Sequence, residues 1–180
     1  EYLLTYPDGA KTFVCANGTG EVPLHLKDLA RLRAALGPET VEMMARHEAE
    51  GTTDHPEYEA AVTILNYRHV CRLDEWPAAL KRSMAGINMD IYGTMWGPNE
   101  FTCIGNLKNW DRLPDLHRIK QPVLVVCGMH DELTTDSSAR VARALPDAQL
   151  KVFKNSSHMP FFEEPEAYFA TLKAFLDAHR

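Results

Sequence analysis

Apolar residues follow two rhythms along this chain. Towards both ends they form short runs bounded by turn residues. Between about Val22 and Pro98 they recur every three or four positions among charged neighbours. The first rhythm predicts strands and the second predicts helices. Pro122, Val123, Leu124, Val125, Val126 and Cys127 are nearly unbroken in apolar character, as a strand covered on both faces would be. The run ends in Gly128-Met129-His130-Asp131-Glu132. Thr134, Thr135 and Asp136 then offer N-caps to a helix carrying Val141, Ala142 and Leu145. Another strand is expected around Leu150, Val152 and Phe153, running out into Asn155-Ser156-Ser157-His158-Met159-Pro160. Pro165 opens a last helix with Phe169, Leu172, Phe175 and Leu176 on one face.

Near the start, Glu1 to Tyr6 reads as helical turns ended by Pro7 and Gly9. Thr12 to Cys15 reads as a strand leading into Asn17-Gly18-Thr19-Gly20. The helical middle divides at its breakers. Leu24, Leu26, Leu29, Leu32 and Leu36 are spaced for one face before Gly37-Pro38. Glu39–Glu50 follows with Val41, Met44 and Ala45. Pro56 to about Arg72 aligns Tyr58, Val62, Leu65 and His69, and Pro77 opens a fourth helix. Trp110, Leu113, Leu116 and Ile119 suggest one short amphipathic helix within Asn106–Ile119. The pattern as a whole is α/β, with parallel strands, flanking helices and an inserted helical cap. Residues 1–21 and 106–180 form the core and 22–105 the cap. An apolar edge at Thr12–Cys15 or Pro122–Cys127 is expected to be covered by a further segment of the same protein or a second chain. The non-Met start at Glu1 fits that expectation.

Composition narrows the function classes. A formal charge of −6, without a Lys/Arg run, argues against a nucleic-acid partner. No apolar stretch reaches spanning length and no signal peptide is seen, so no membrane partner is expected. Cys15, Cys71, Cys103 and Cys127 are scattered thiols, which predicts a reduced, cytoplasmic protein. The histidines show no metal-ligand spacing and no Gly-rich phosphate loop is present, so neither metal nor cofactor is expected.

The candidate chemistry lies where the strands end. Asp131 follows one strand and His158 the next, and neighbouring strands lie about 4.8 Å apart. A carboxylate on one imidazole nitrogen fixes the tautomer and frees the other nitrogen as a base. Acid before histidine, late in the chain, is the order in α/β-hydrolases. Read singly, Asp131 is a turn residue and His158 a solvated loop residue; in succession they make a candidate pair. None of Ser83, Ser137, Ser138, Ser156 and Ser157 sits in G-x-S-x-G.

Several strings together resemble the proline iminopeptidases. They are Gly97-Pro98-Asn99-Glu100-Phe101, Asn109-Trp110-Asp111, Gly128-Met129-His130-Asp131-Glu132 and Ser157-His158, with Arg68-His69-Val70-Cys71-Arg72 and Trp76-Pro77 in the lid. The resemblance covers almost the whole chain. It implies the C-terminal part of an α/β-hydrolase fold with its cap. It also implies a serine-type aminopeptidase that releases an N-terminal proline or small apolar residue from a short peptide or amide. Asp131 and His158 would be the triad acid and base. Glu100 and Glu132 would bind the substrate's α-amino group by charge-assisted hydrogen bonds. The nucleophile would come from upstream of Glu1. Two alternatives stay open: an amino-acid amide hydrolase or other capped hydrolase, and a non-catalytic remnant acting as a binding module.

Overall fold

A computed structural model describes residues 1–179. A short helix, α1 (Tyr2–Thr5), precedes strand β1 (Phe13–Ala16). Then come α2 (Pro23–Ala34), α3 (Pro38–Glu50) and α4 (Pro56–Leu65), which passes directly into a π-turn at Asn66–Val70. α5 (Ala78–Ala85) and α6 (Met89–Met95) follow. Two 3-10 turns, Asn106–Asn109 and Leu113–Arg118, lead to β2 (Val123–Gly128). The chain closes with α7 (Thr135–Ala144), β3 (Ala148–Phe153), α8 (Pro160–Glu163) and α9 (Pro165–Ala178).

The three strands are parallel in the order β1-β2-β3. Val14 faces Leu124, and Val126 faces Lys151. Every residue of β2 is buried, as its unbroken apolar run requires. Its side chains alternate between two cores. Val123 and Val125 pack with Leu3, Ile119, Val141 and Leu145, whereas Leu124 and Val126 pack with Phe153 and Phe175 on the opposite face. β2 is therefore the central strand, and Pro122–Cys127 is no sheet edge. β1 is an edge in this sheet.

The helices between β1 and β2 have a core of their own, built from Leu29, Met44, Tyr58, Ala61, Leu65, Val70 and Phe101. Breakers set its corners. Gly37, at φ 95, separates α2 from Pro38 at the start of α3, and Gly51, at φ 70, ends α3 in the left-handed conformation. A buried cluster ties this block to the sheet. Arg140 of α7 donates to Glu21 Oε1 (3.1 Å) and to Asp28 Oδ2 of α2 (2.8 Å), and Thr134 Oγ1 donates to the same Asp28 oxygen (3.2 Å).

Several helical faces differ from the periodicity. Leu24 is 39% exposed, because the buried face of α2 is set by Leu29 and by His25 and Asp28 turned towards the sheet. On α3, His47 rather than Ala45 is buried beside Met44. On α9 only Phe175 is fully enclosed. Phe169 and Leu176 are 54% and 43% exposed and line an open groove with Leu172, Lys11 and Thr12. The segment 106–119 is two 3-10 turns, since Pro114 and the Asp111 cap on Leu113 N start a new turn after Trp110. The helix begun at Pro56 ends as a π-turn: Cys71 N–H donates to Asn66 O (3.0 Å), five residues back.

Candidate active site

The loops after all three strands meet at one end of the sheet. Gly128, the last residue of β2, makes this possible. A Cβ there would come within 2.2 Å of Ser157 O and 2.3 Å of Ser156 O, so only glycine lets the β3 loop pass so close. Met129 N–H and His130 N–H then donate to Phe153 O (2.8 Å) and Ser156 O (3.0 Å), tying the two loops together.

This close passage brings Asp131 to His158. His158 Nδ1 lies 2.9 Å from Asp131 Oδ1. The carboxylate can only accept, so Nδ1 carries the proton and Nε2 is left for chemistry. Asp131 is buried, and both of its oxygens accept further hydrogen bonds: Leu133 N–H donates to Oδ1 (2.9 Å) and Asn17 Nδ2 to Oδ2 (2.7 Å). Asn17 sits just past β1 in the left-handed region (φ 49), which asparagine tolerates better than most residues. Burial works against a charge on His158. The Asp131 hydrogen bond and charge, with Glu132 and Glu100 behind them, override it and raise the imidazole to about 9.

Beside the pair opens a cavity of about 530 Å³. Ile87, Ile91, Met95, Trp96, Leu107 and Leu133 give it an apolar wall. Its polar end holds Glu100, Glu132 and His158, together with Asn17, His25 and Tyr92. No lysine or arginine lines it among the described residues. Glu132 Oε1 is 3.8 Å from His158 Nδ1. Burial, then the charges of Glu100 and Asp131, push the Glu132 carboxyl well above the usual range against the pull of His158. Burial and the neighbouring Glu100 carboxylate push the Tyr92 phenol up, and burial pulls His25 down to about 4. Three buried polar atoms of this lining have no hydrogen-bond partner, Asn17 Oδ1, His25 Nδ1 and Glu132 Oε2, and Tyr92 Oη has the Glu100 carboxylate beside it. Native interiors leave few such atoms, so three around one cavity are unusual.

All four residues expected from the sequence thus reach one site: Asp131 and His158 in contact, Glu132 beside them, and Glu100 across the cavity. No serine lines the cavity among the described residues. Asn17, His25 and Tyr92 were not foreseen. Asn17 was within reach of the strand-end rule, since it follows β1 as Asp131 follows β2. Elsewhere, His47, His55 and Glu57 bring three potential metal-ligand atoms within 4.8 Å of one another. There His47 Nε2 bonds Glu57 Oε1 at 2.7 Å and Arg46 Nη2 bonds the same oxygen at 2.9 Å, so protons and a guanidinium already use that carboxylate.

A family model described as alpha/beta hydrolase fold matches residues 1–165. The chain is 38% identical over 178 residues to a proline iminopeptidase of Heyndrickxia coagulans, covering 98% of this chain and 62% of that protein. It is 34% identical to a proline iminopeptidase of Saccharolobus solfataricus, covering 98% and 57%. Among solved structures it superposes on VinJ with a TM-score of 0.94 at 36% identity, covering 99% of this chain and 61% of VinJ. It superposes on a proline iminopeptidase of Mycobacterium smegmatis with a TM-score of 0.85 at 35% identity, covering 98% and 60%. The chain spans 57% to 62% of the length of these four proteins.

Proposed function

This chain belongs to the α/β-hydrolase fold family, and on that premise we propose that the protein containing it is a serine-type aminopeptidase of the proline iminopeptidase kind. Residues 22–105 would form the cap over the strand ends. A serine supplied by another part of the protein would attack the carbonyl after the substrate's first residue. His158 Nε2 would accept the serine proton and return it to the leaving amine, with Asp131 holding the imidazolium. Water would then release the acylated residue by the same base. The N-terminal proline or small apolar side chain would lie against the Ile91–Met95–Trp96 wall.

One observation carries the substrate class: two carboxylates, Glu100 and Glu132, and no lysine or arginine among the described residues line the cavity beside the Asp131–His158 pair. Such a site selects a cation. A free α-ammonium between Glu100 and Glu132 would relieve their repulsion and supply a donor for Glu132 Oε2. The test is kcat/KM for prolyl and acetyl-prolyl amides on the parent, Glu100→Gln and Glu132→Gln. Each variant should lose about tenfold or more on the free amine, the scale of a buried charged hydrogen bond. Each should lose little on the acetylated substrate, which the parent should already turn over poorly. Variants that process the free amine as well as the parent does would leave a general capped hydrolase as the better reading.

A further inference from the structure

We propose that His69, in the π-turn of the helical block, is a positioning residue that holds the acid loop and the histidine loop in register. The inference rests on the assignment of Asp131 and His158 as acid and base.

The backbone carbonyl of His69 is the centre of the arrangement. It accepts two N–H groups, from Glu132 (3.3 Å) and from His158 (3.2 Å). One is the residue after the acid; the other is the base itself. A carbonyl has two lone pairs, and here each goes to a different catalytic loop. The π-turn makes that carbonyl available. The helix closes with Cys71 N–H on Asn66 O and then leaves in extended backbone at Cys71, so the last carbonyls have no helical partner.

The ring adds a third contact. His69 Nδ1 donates to His130 O at 2.9 Å, gripping the acid loop one residue before Asp131. The ring meets the buried Phe101 edge-on, at 6.3 Å between centroids, which fixes its rotamer. Burial, with Arg68 and Arg72 nearby, lowers the imidazole pKa despite the His130 carbonyl, so the neutral ring presents its Nδ1–H. Three residues on, at Arg72, a second strut runs alongside. Glu163 Oε1 accepts from Arg72 N–H (2.8 Å) and Ser157 Oγ (2.8 Å), and Glu163 Oε2 accepts from Ser157 N–H (2.8 Å). Arg72, just past the π-turn, and Ser157, the residue before His158, are thus fastened to one carboxylate. Loosening these struts would let the Asp131–His158 bond lengthen without emptying the site.

The experiment uses the protein at its full natural length, with free-amine prolyl amide across a pH series. His69→Phe keeps the ring packing and removes the donor. It should lower kcat on the order of 10- to 100-fold, the scale of a small misplacement of reacting groups, while KM changes less than about twofold. The acidic limb of kcat/KM should also move to lower pH, since a loosened Asp131 contact no longer raises His158. His69→Asn, whose Nδ2 can replace Nδ1 as donor to His130 O, should recover most of the kcat and the parental limb. Glu163→Gln keeps one acceptor and should shift the limb the same way with a smaller fall in kcat; it also serves if His69→Phe does not fold. Parental kcat and limb in both His69→Phe and Glu163→Gln would overturn the proposal. So would a fall in melting temperature with no movement of the limb. Asp131→Asn separates the two levels: if it too leaves turnover intact, the acid–base assignment has failed rather than the joint.

Discussion

The helical block has two ends that are built differently. At the α4 end, Tyr58, Ala61, Leu65 and Val70 are each at most 3% exposed, and the π-turn bonds the loops that carry Asp131 and His158. At the α6 end, no residue is buried, and Met89, Ile91 and Met95 are 52%, 58% and 42% exposed. Yet Ile91, Tyr92 and Met95 are the ones that line the cavity. The end that packs well holds the loops of Asp131 and His158, and the end that packs poorly lines the cavity. A segment with few enclosed contacts opens at low free-energy cost, which suits a wall that a substrate must pass. This helical block is better described as fixed at one part and lightly held at the other than as one uniform unit.

The largest test of that contrast compares catalysis at the two ends. Asp131→Asn should lower kcat on the order of 10⁴-fold, as loss of the orienting carboxylate does in serine triads. Met95→Ala should leave kcat near the parental value and raise KM several-fold, the mark of lost uniform binding. Equal losses of kcat from both would erase the distinction. A smaller effect is expected in stability. Leu65→Ala should destabilise by about 2–5 kcal/mol in urea melts, whereas Ile91→Ala should stay within about 0.5 kcal/mol. A comparable loss at Ile91 would show that α6 is held as firmly as α4.

The smallest effect is in pH. The folded pKa of His158, about 9, lies above its ordinary 6.5. The stability it adds is therefore complete below about pH 6.5 and is lost as pH rises towards 9. The melting temperature of the ligand-free protein should decline through that window, and His158→Gln should flatten the decline. A His158→Gln curve parallel to the parent's would place the titrating group elsewhere.

Much of this was legible beforehand for physical reasons. A strand enclosed on both faces has to be apolar throughout, so β2 stood out, and Thr134 marked the start of α7 because a hydroxyl accepting from Ser137 N–H is visible as a residue type. Asp131 and His158 could be paired because parallel strands deliver their ends to one side. The π-turn could not be read: Tyr58, Val62, Leu65 and His69 keep helical spacing into it, and its work is done by a backbone carbonyl that no side chain advertises. Phe169 and Leu176 misled for the opposite reason, since periodicity reports that a face is apolar but not what lies against it. His25 was hidden among the leucines of α2, as a buried histidine on a helical face has no distinguishing pattern.

The π-turn has one further consequence, in terms of chain length. A π-turn is an α-helix carrying one surplus residue, because its ladder closes five residues back instead of four. Deleting one residue from Asn66–Val70 would let the ladder close four residues back and remove the widened turn that presents the His69 carbonyl to the two loops. Val70, enclosed in the core of the block, and Cys71, also fully buried, lie at the end of that turn. The fastening of the block to the two loops therefore depends on a count: a single inserted amino acid is enough to create it, and a single deletion is enough to undo it.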